Sequence, residues 1–387
     1  MKVAIVVHGR FHAFDLARAL VERRRVDTTV FTNYPKSVAT RFGVPRQHVR
    51  SYVLHGALAR LLYSDGLPFR EIRERAAHIL FGRWAQRALA AGHYDVKHVW
   101  SGVAEEAFRS PAGGTRFLMR GSAHIRTQSE LLAAEQSRVG GPLPSPTRWM
   151  LAREEREYEL ADRIIVLSRF ARDSFVQQGV PSERIRLLPL GSDLTTFRPT
   201  EAVAEARRQR ILAEHPLRIL YVGGVTLRKG MWDLAQIARA LPREDFQLRV
   251  VGFVSRELGH LRPALMSSAE VVGKVPQREL REHYDWADVF VFPTLEDGYA
   301  VVLAQAAAGG LPIITTTNCS GPDFIEEGRN GWIVPIRDAQ AFIERLRWCH
   351  ANRTELAEMT CRVYAGFKPR DWRQVAADFE VLCHEAR

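Results

Sequence analysis

The sequence has little cysteine. Cys319, Cys349, Cys361 and Cys383 are the only four in 387 residues, all lie in the last 70 positions, and no two stand as CxxC. That pattern excludes a disulfide frame and a thiolate zinc site, and it predicts reduced thiols in a cytoplasmic protein. Long apolar runs are missing as well. The longest uncharged apolar stretches fall well short of the ~20 residues of a membrane-spanning helix. The opening MKVAIVV is interrupted at His8 and Arg10, too early for a secretory leader, so it reads as a first buried strand. There is no low-complexity tract and no DxD triplet. What remains, 46% hydrophobic and 26% charged residues, is ordinary for a folded soluble chain. The length suits two or three domains of roughly 100–200 residues, each able to bury a core.

Acidic residues are scarce in one half only. The chain carries 55 Lys+Arg against 44 Asp+Glu, a net +11. Residues 1–200 hold 31 basic and 19 acidic residues, so +12, and residues 201–387 hold 24 and 25, so −1. This asymmetry predicts a partner of negative charge: an anionic membrane surface, a phosphorylated acceptor or nucleic acid. The bland alternative is a solvated basic surface in an arginine-rich chain. Nucleic acid is disfavoured, because helix-turn-helix and ribonucleoprotein signatures and aromatic-basic interleaving are all missing. Arg23–Arg25 and the run from Arg70 to Arg75 are the places where a membrane contact is expected.

Short β-rich runs alternate with helix-length segments throughout. In the first half they are Val3–Val7, Thr28–Phe31, Val96–Trp100, Phe117–Met119 and Arg163–Leu167. In the second they are Arg218–Val222, Leu248–Val251, Val271–Val272, Val289–Phe292, Ile313–Thr315 and Trp332–Val334. Continuous apolar strands spaced by helices predict parallel sheets covered on both faces, an α/β fold of doubly wound layers. Gly and Pro punctuation marks Pro189–Pro199 as a linker. The expected organisation is a Rossmann-like domain over 1–195, a second over 196–370, and a helix over 371–387. That last helix carries Trp372, Val375, Phe379 and Leu382 on one side and crosses back to the first domain. A cleft between the halves would hold ligand outside the carboxyl ends of the strands.

Two segments of the second half carry chemistry. In the first, Tyr221–Gly230, a strand runs into Gly223 and Gly224, then Arg228 and Lys229 precede a helix. Glycine permits close backbone approach, a helix start attracts anions, and two loop cations need a counter-charge. A packing turn and a phosphate site explain this pattern equally well on its own. In the second, Pro293–Pro312, Glu296 and Asp297 precede the turn Gly298-Tyr299-Ala300-Val301, and Gln305 lies eight residues beyond Asp297. Backbone N–H groups of such a turn suit a diphosphate, while the acidic and amide side chains suit hydroxyls. A self-capped helix is the plain alternative.

In combination and order these segments resemble the retaining glycosyltransferases of family 4, with their two-domain GT-B fold. Glu157–Ser168 is similar to that family's last N-domain helix and strand, and Leu190–Pro199 to its interdomain segment. Val222–Gly230 resembles its VGxxxxxKG turn, and Asp297–Gln305 its E-x7-E motif. The resemblance implies a hexosyl-type transferase that moves a sugar from a nucleotide-diphosphate donor to a glycan or lipid-linked acceptor with retention of configuration. Lys229, helped by Arg228, would neutralise the diphosphate. The 298–301 turn would hold phosphate, Asp297 or Glu296 the sugar hydroxyls, and Gln305 the ribose.

The first-half loops are less familiar. Gly9 and Arg10 would face the donor and His12 the acceptor. Arg120, Ser122 and especially His124 would stand by the reacting sugar. Three departures stand out: Gly224 where the family has Arg, Asp297 for the first Glu, and Gln305 for the second. Without DxD, no metal and no cofactor is expected. No carboxylate nucleophile is evident, so front-face attack is expected, with the leaving phosphate taking the acceptor's proton. A nucleotide-sugar epimerase or hydrolase on the same fold is the alternative. The expected location is the cytoplasm, peripheral on the inner face of the membrane, in polysaccharide or lipopolysaccharide biosynthesis.

Overall fold

A computed structural model describes residues 1–62, 68–140, 143–259 and 261–386. Thirteen strands are present among them. The first seven are β1 (Lys2–Val7), β2 (Asp27–Thr32), β3 (Val49–Ser51), β4 (Val96–Trp100), β5 (Thr115–Met119), β6 (Arg163–Val166) and β7 (Ile185–Leu187). The other six are β8 (Leu217–Val222), β9 (Phe246–Val251), β10 (Glu270–Gly273), β11 (Val289–Phe292), β12 (Ile313–Thr316) and β13 (Gly331–Val334). They form two sheets ordered β3-β2-β1-β4-β5-β6-β7 and β10-β9-β8-β11-β12-β13. Every pairing is parallel. The chain is therefore a two-sheet α/β protein, with each central strand buried on both faces.

Eleven strands coincide with apolar runs in the sequence. The two that have no such run, β3 and β7, are three-residue edge strands with Arg50 and Arg186 at their centres. An edge strand keeps one side in water, so its sequence need not be apolar. The four cysteines are free thiols; Cys361 is exposed and the other three are buried. Among the described residues no helix is long and apolar enough to cross a membrane.

The last helix, Trp372–Glu385, begins with a capping box in which Asp371 and Gln374 exchange hydrogen bonds. Its Val375, Ala376, Phe379 and Cys383 join the core of the first sheet with Val3, Ile5 and Phe117. Arg23 grips Glu380 through two hydrogen bonds of 3.0 and 2.9 Å. Where the chain passes between the lobes it does so twice, and the two passes touch: Ser192 N donates to Arg370 O at 2.9 Å. The lobes also meet along the helix Ile125–Val139. Its Arg138 pairs with Asp233, its Glu135 accepts from Arg337 at 2.8 Å, and its Leu132 enters the core of the second sheet.

Candidate active site

Each sheet reverses its strand order once, between β1 and β4 in the first and between β8 and β11 in the second. Loops leaving strands on either side of such a reversal diverge and open a crevice. The loops after β8 and β11 are the two segments whose sequence carried chemistry.

The β8 loop turns at Gly223 and Gly224, then closes a short 3-10 turn at Leu227–Lys229, with Thr226 Oγ1 accepting from Lys229 N at 3.3 Å. Gly230 follows in the left-handed region, φ 76°, where a Cβ would stand 1.7 Å from Pro293 O. Only glycine fits there. Because it fits, the β8 loop lies directly against the end of β11. Lys229 Nζ donates to Asp297 Oδ2 at 2.6 Å and to Glu296 O at 3.1 Å, and Arg228 Nη1 meets Glu296 Oε2 at 3.1 Å. Two cations and two carboxylates thus form a neutral quartet. Burial pulls the Lys229 ammonium below its usual range while Asp297 pulls it back up. That leaves a cation with a single short carboxylate contact, ready to exchange it for a stronger anion.

Glu296 is the most enclosed member. It is fully buried, yet its carboxyl is held down at about 2. Burial alone would raise it; Arg228, Lys229, Ser122 and the Ala123 N–H overcome that cost. Oε1 accepts from Ser122 Oγ and, at 3.0 Å, from Ala123 N, while Oε2 accepts from Gln128 Nε2 at 3.0 Å. Those three partners belong to the first lobe, so Glu296 latches the lobes together. The network continues: Arg120 donates to Gln128 Oε1 at 2.9 Å and to Glu154 Oε1 at 3.1 Å, and Tyr158 donates to Glu154 Oε2 at 2.7 Å.

Gly298 completes the closure, because a Cβ there would lie 2.2 Å from Gly121 O. Gly298→Ala is accordingly expected to hold the lobes apart. Forced overpacking costs roughly 1–3 kcal/mol, so turnover should fall about 10–100-fold while circular dichroism stays unchanged. Full activity in that variant would show that this close approach is not required.

The profile described as Glycosyltransferase Family 4 matches residues 10–196, and that described as Glycosyl transferases group 1 matches residues 216–352. The two cover the two lobes in order. This chain belongs to the family 4 glycosyltransferases. The amylovoran biosynthesis glycosyltransferase AmsK of Erwinia amylovora is 28% identical over 46% of this chain and 45% of its own. The chain spans about half the length of the first such curated relatives. The D-inositol 3-phosphate glycosyltransferase of Xylanimonas cellulosilytica matches more fully, 27% identical over 95% of this chain and 88% of its own. In fold, the crystal structure of Anabaena HepE in complex with UDP superposes with a TM-score of 0.71 over 100% of both chains at 12% identity. The architecture is therefore GT-B.

Within this glycosyltransferase the site residues read from the sequence have diverse placements. Lys229, Arg228, Glu296, Asp297, Ser122 and Arg120 converge as described. The turn N–H groups are largely engaged from within: Tyr299 N donates to Asp297 Oδ1, Ala300 N to Ser320 Oγ, and Val301 N to Tyr299 O. Gln305 Oε1 accepts from the buried Tyr284 hydroxyl at 2.9 Å, so only its amide N–H side is left for a ribose.

His124, expected by the reacting sugar, is 4% exposed, its ring packs on Tyr158 and Phe175, and its Nδ1 caps the helix by accepting from Arg126 N. Burial pushes it down to about 4, which favours the neutral ring. His12 is half-buried between the Trp100 and Trp372 rings, and burial pushes it down to about 3. Arg10 lies over the Phe42 ring at 4.1 Å, and Gly9 O accepts from Thr32 Oγ1. Gln128 was not foreseen. A glutamine one turn into a helix carries no sequence signal, and only the meeting of the lobes gives it a role.

Proposed function

We propose that this glycosyltransferase moves a hexosyl group from a nucleotide-diphosphate sugar to a hydroxyl of a glycan or lipid-linked acceptor, with retention of configuration and without a metal. The observation that carries this reading is the Arg228–Lys229 pair, packed by Gly230 against the Glu296–Asp297 loop at the switch point of the second sheet. A diphosphate arriving there replaces Asp297 on Lys229, and the freed carboxylate turns to the sugar hydroxyls. As the bond from the anomeric carbon to the phosphate oxygen breaks, negative charge grows on that oxygen beside Lys229 and Arg228, which stabilise it. The acceptor oxygen bonds to the anomeric carbon on the same face, and its proton passes to the departing phosphate.

Engagement of Glu296 supports this route over a covalent one. Glu296 is saturated by its own donors, and the Asp297 carboxylate released from Lys229 is taken up by the sugar hydroxyls. The absence of DxD from the sequence and the two adjacent cations support the metal-free reading. The basic first lobe supports a location against the inner face of an anionic membrane.

A thermal-shift panel of UDP, GDP, ADP and dTDP with their sugars tests the donor. A ligand at a hundredfold excess over Kd adds about 2.7 kcal/mol to stability, so one nucleotide series should raise the melting temperature by a few degrees. A flat response across the panel would remove the donor site. Free sugar or an epimer as product, in place of a glycoside, would move the protein to a hydrolase or epimerase.

A further inference from the structure

The helix Val53–Leu62 turns the wrong side to water. Its inward residues are His55 and Ala59, and its outward row is Leu54, Ala57, Leu58 and Leu61. Leu54 is 79% and Leu61 68% exposed. That row has the i, i+3, i+4, i+7 spacing which a helix ordinarily buries. The neighbouring helix Arg70–Ala90 continues the surface. Phe69 just before it is 72% exposed and Ile72 65%, with Leu80 two turns on, while Ala77, Phe81 and Ala85 face inward. An apolar face of this extent on a folded domain marks a contact surface. The two helices hold six arginines against only Glu71 and Glu74. Glu74 is already engaged by Thr147 Oγ1 at 2.6 Å.

We propose that the outer face of these two helices is a docking surface for an anionic lipid bilayer. Apolar side chains enter the acyl boundary while the surrounding arginines meet headgroup phosphates, the arrangement of an interfacial amphipathic helix. A second copy of the chain is the poorer occupant, because a two-fold contact sets the same arginine-rich rim opposite itself. The placement also has a consequence for substrate delivery. On the inner side, the His55 ring lies 5.1 Å from that of His8, which opens the loop after β1 at the crevice. Docking therefore brings the crevice rim to the bilayer, where a lipid-linked acceptor resides.

The test is co-sedimentation of the full-length protein with vesicles of phosphatidylcholine alone and of phosphatidylcholine with about a third phosphatidylglycerol, at low and high salt. Binding is expected to the anionic vesicles only, fading with salt. A Leu54→Glu, Ile72→Glu double variant should lose at least about tenfold of that binding with its melting temperature kept. Equal binding to both lipids, binding to neither, or unchanged binding of the double variant would overturn the proposal. So would a dimer in sedimentation equilibrium that the same substitutions dissolve. Vesicle binding is read without nucleotide, so this surface and the sugar-transfer reading can fail independently.

Discussion

Lys229→Ala is expected to fold normally and to lose about 10²–10³-fold in kcat/KM, the usual effect of deleting one preorganised donor at a developing oxyanion, about 3–4 kcal/mol. The ammonium sits 2.6 Å from Asp297, and burial opposes its charge there. Its pairing is partly offset by desolvation, and removing it leaves Asp297 with the Tyr299 N–H and partial contact with water, so a moderate loss of stability is expected without unfolding. In the transition state the balance reverses. Charge appears on the leaving phosphate oxygen in a shielded crevice, and only interactions that strengthen as that charge grows raise the rate. Two measurements separate the cases. Initial-rate kinetics should show the loss mainly in kcat, and the melting temperature should fall by only a few degrees, with the chain still folded at assay temperature. Turnover equal to the parent's would take Lys229 out of the mechanism.

The second large effect is on stability in acid. Burial lowers His8, His12 and His98 to about 3, and His78 and His124 to about 4. An unfolded histidine takes its proton near 6.5. Above that value both states are neutral and the full stability is present. As the pH falls below it, the unfolded chain gains protons that the native chain cannot accept, and stability is lost toward pH 3–4.

At full size these five shifts would remove up to about 6 kcal/mol between pH 7 and pH 5.5, with water screening part of the share of the half-buried His8, His12 and His78. Glu157, whose carboxyl burial raises to about 8, opposes them. It binds its proton in the native state first, and over the same interval it restores about 2 kcal/mol. The remainder is a large share of a typical 5–15 kcal/mol. Urea midpoints should fall steeply over that interval. His98→Phe should blunt the fall, because His98 is fully buried with no hydrogen bond to either ring nitrogen. A midpoint independent of pH between 7 and 5.5 would show that these histidines titrate normally in the fold.

The central strands were legible in the sequence because parallel strands covered on both faces must be continuously apolar. Val96–Trp100 and Val289–Phe292 have the bounds that their sequence indicates. The lysine–glycine turn and the acidic turn were legible for a related reason: their backbone demands are local. The placement of histidines was not legible. His12 and His124 look from the sequence like polar loop residues beside a crevice. In the folded chain one lies between Trp100 and Trp372 and the other caps a helix against Phe175. Those aromatic neighbours come from as far away as the last helix.

By itself, then, the sequence determined two doubly wound α/β lobes, a helix spaced to cross back, a cationic turn and an acidic turn. Each is written in residues close together in the chain. Tertiary structure alone decided that Glu296, fully buried, is a carboxylate that joins the lobes. It also decided that Gln305 gives its oxygen to Tyr284, and that Leu54 and Ile72 face outward. Burial and pairing are properties of what arrives from elsewhere in the fold, and no local pattern encodes them.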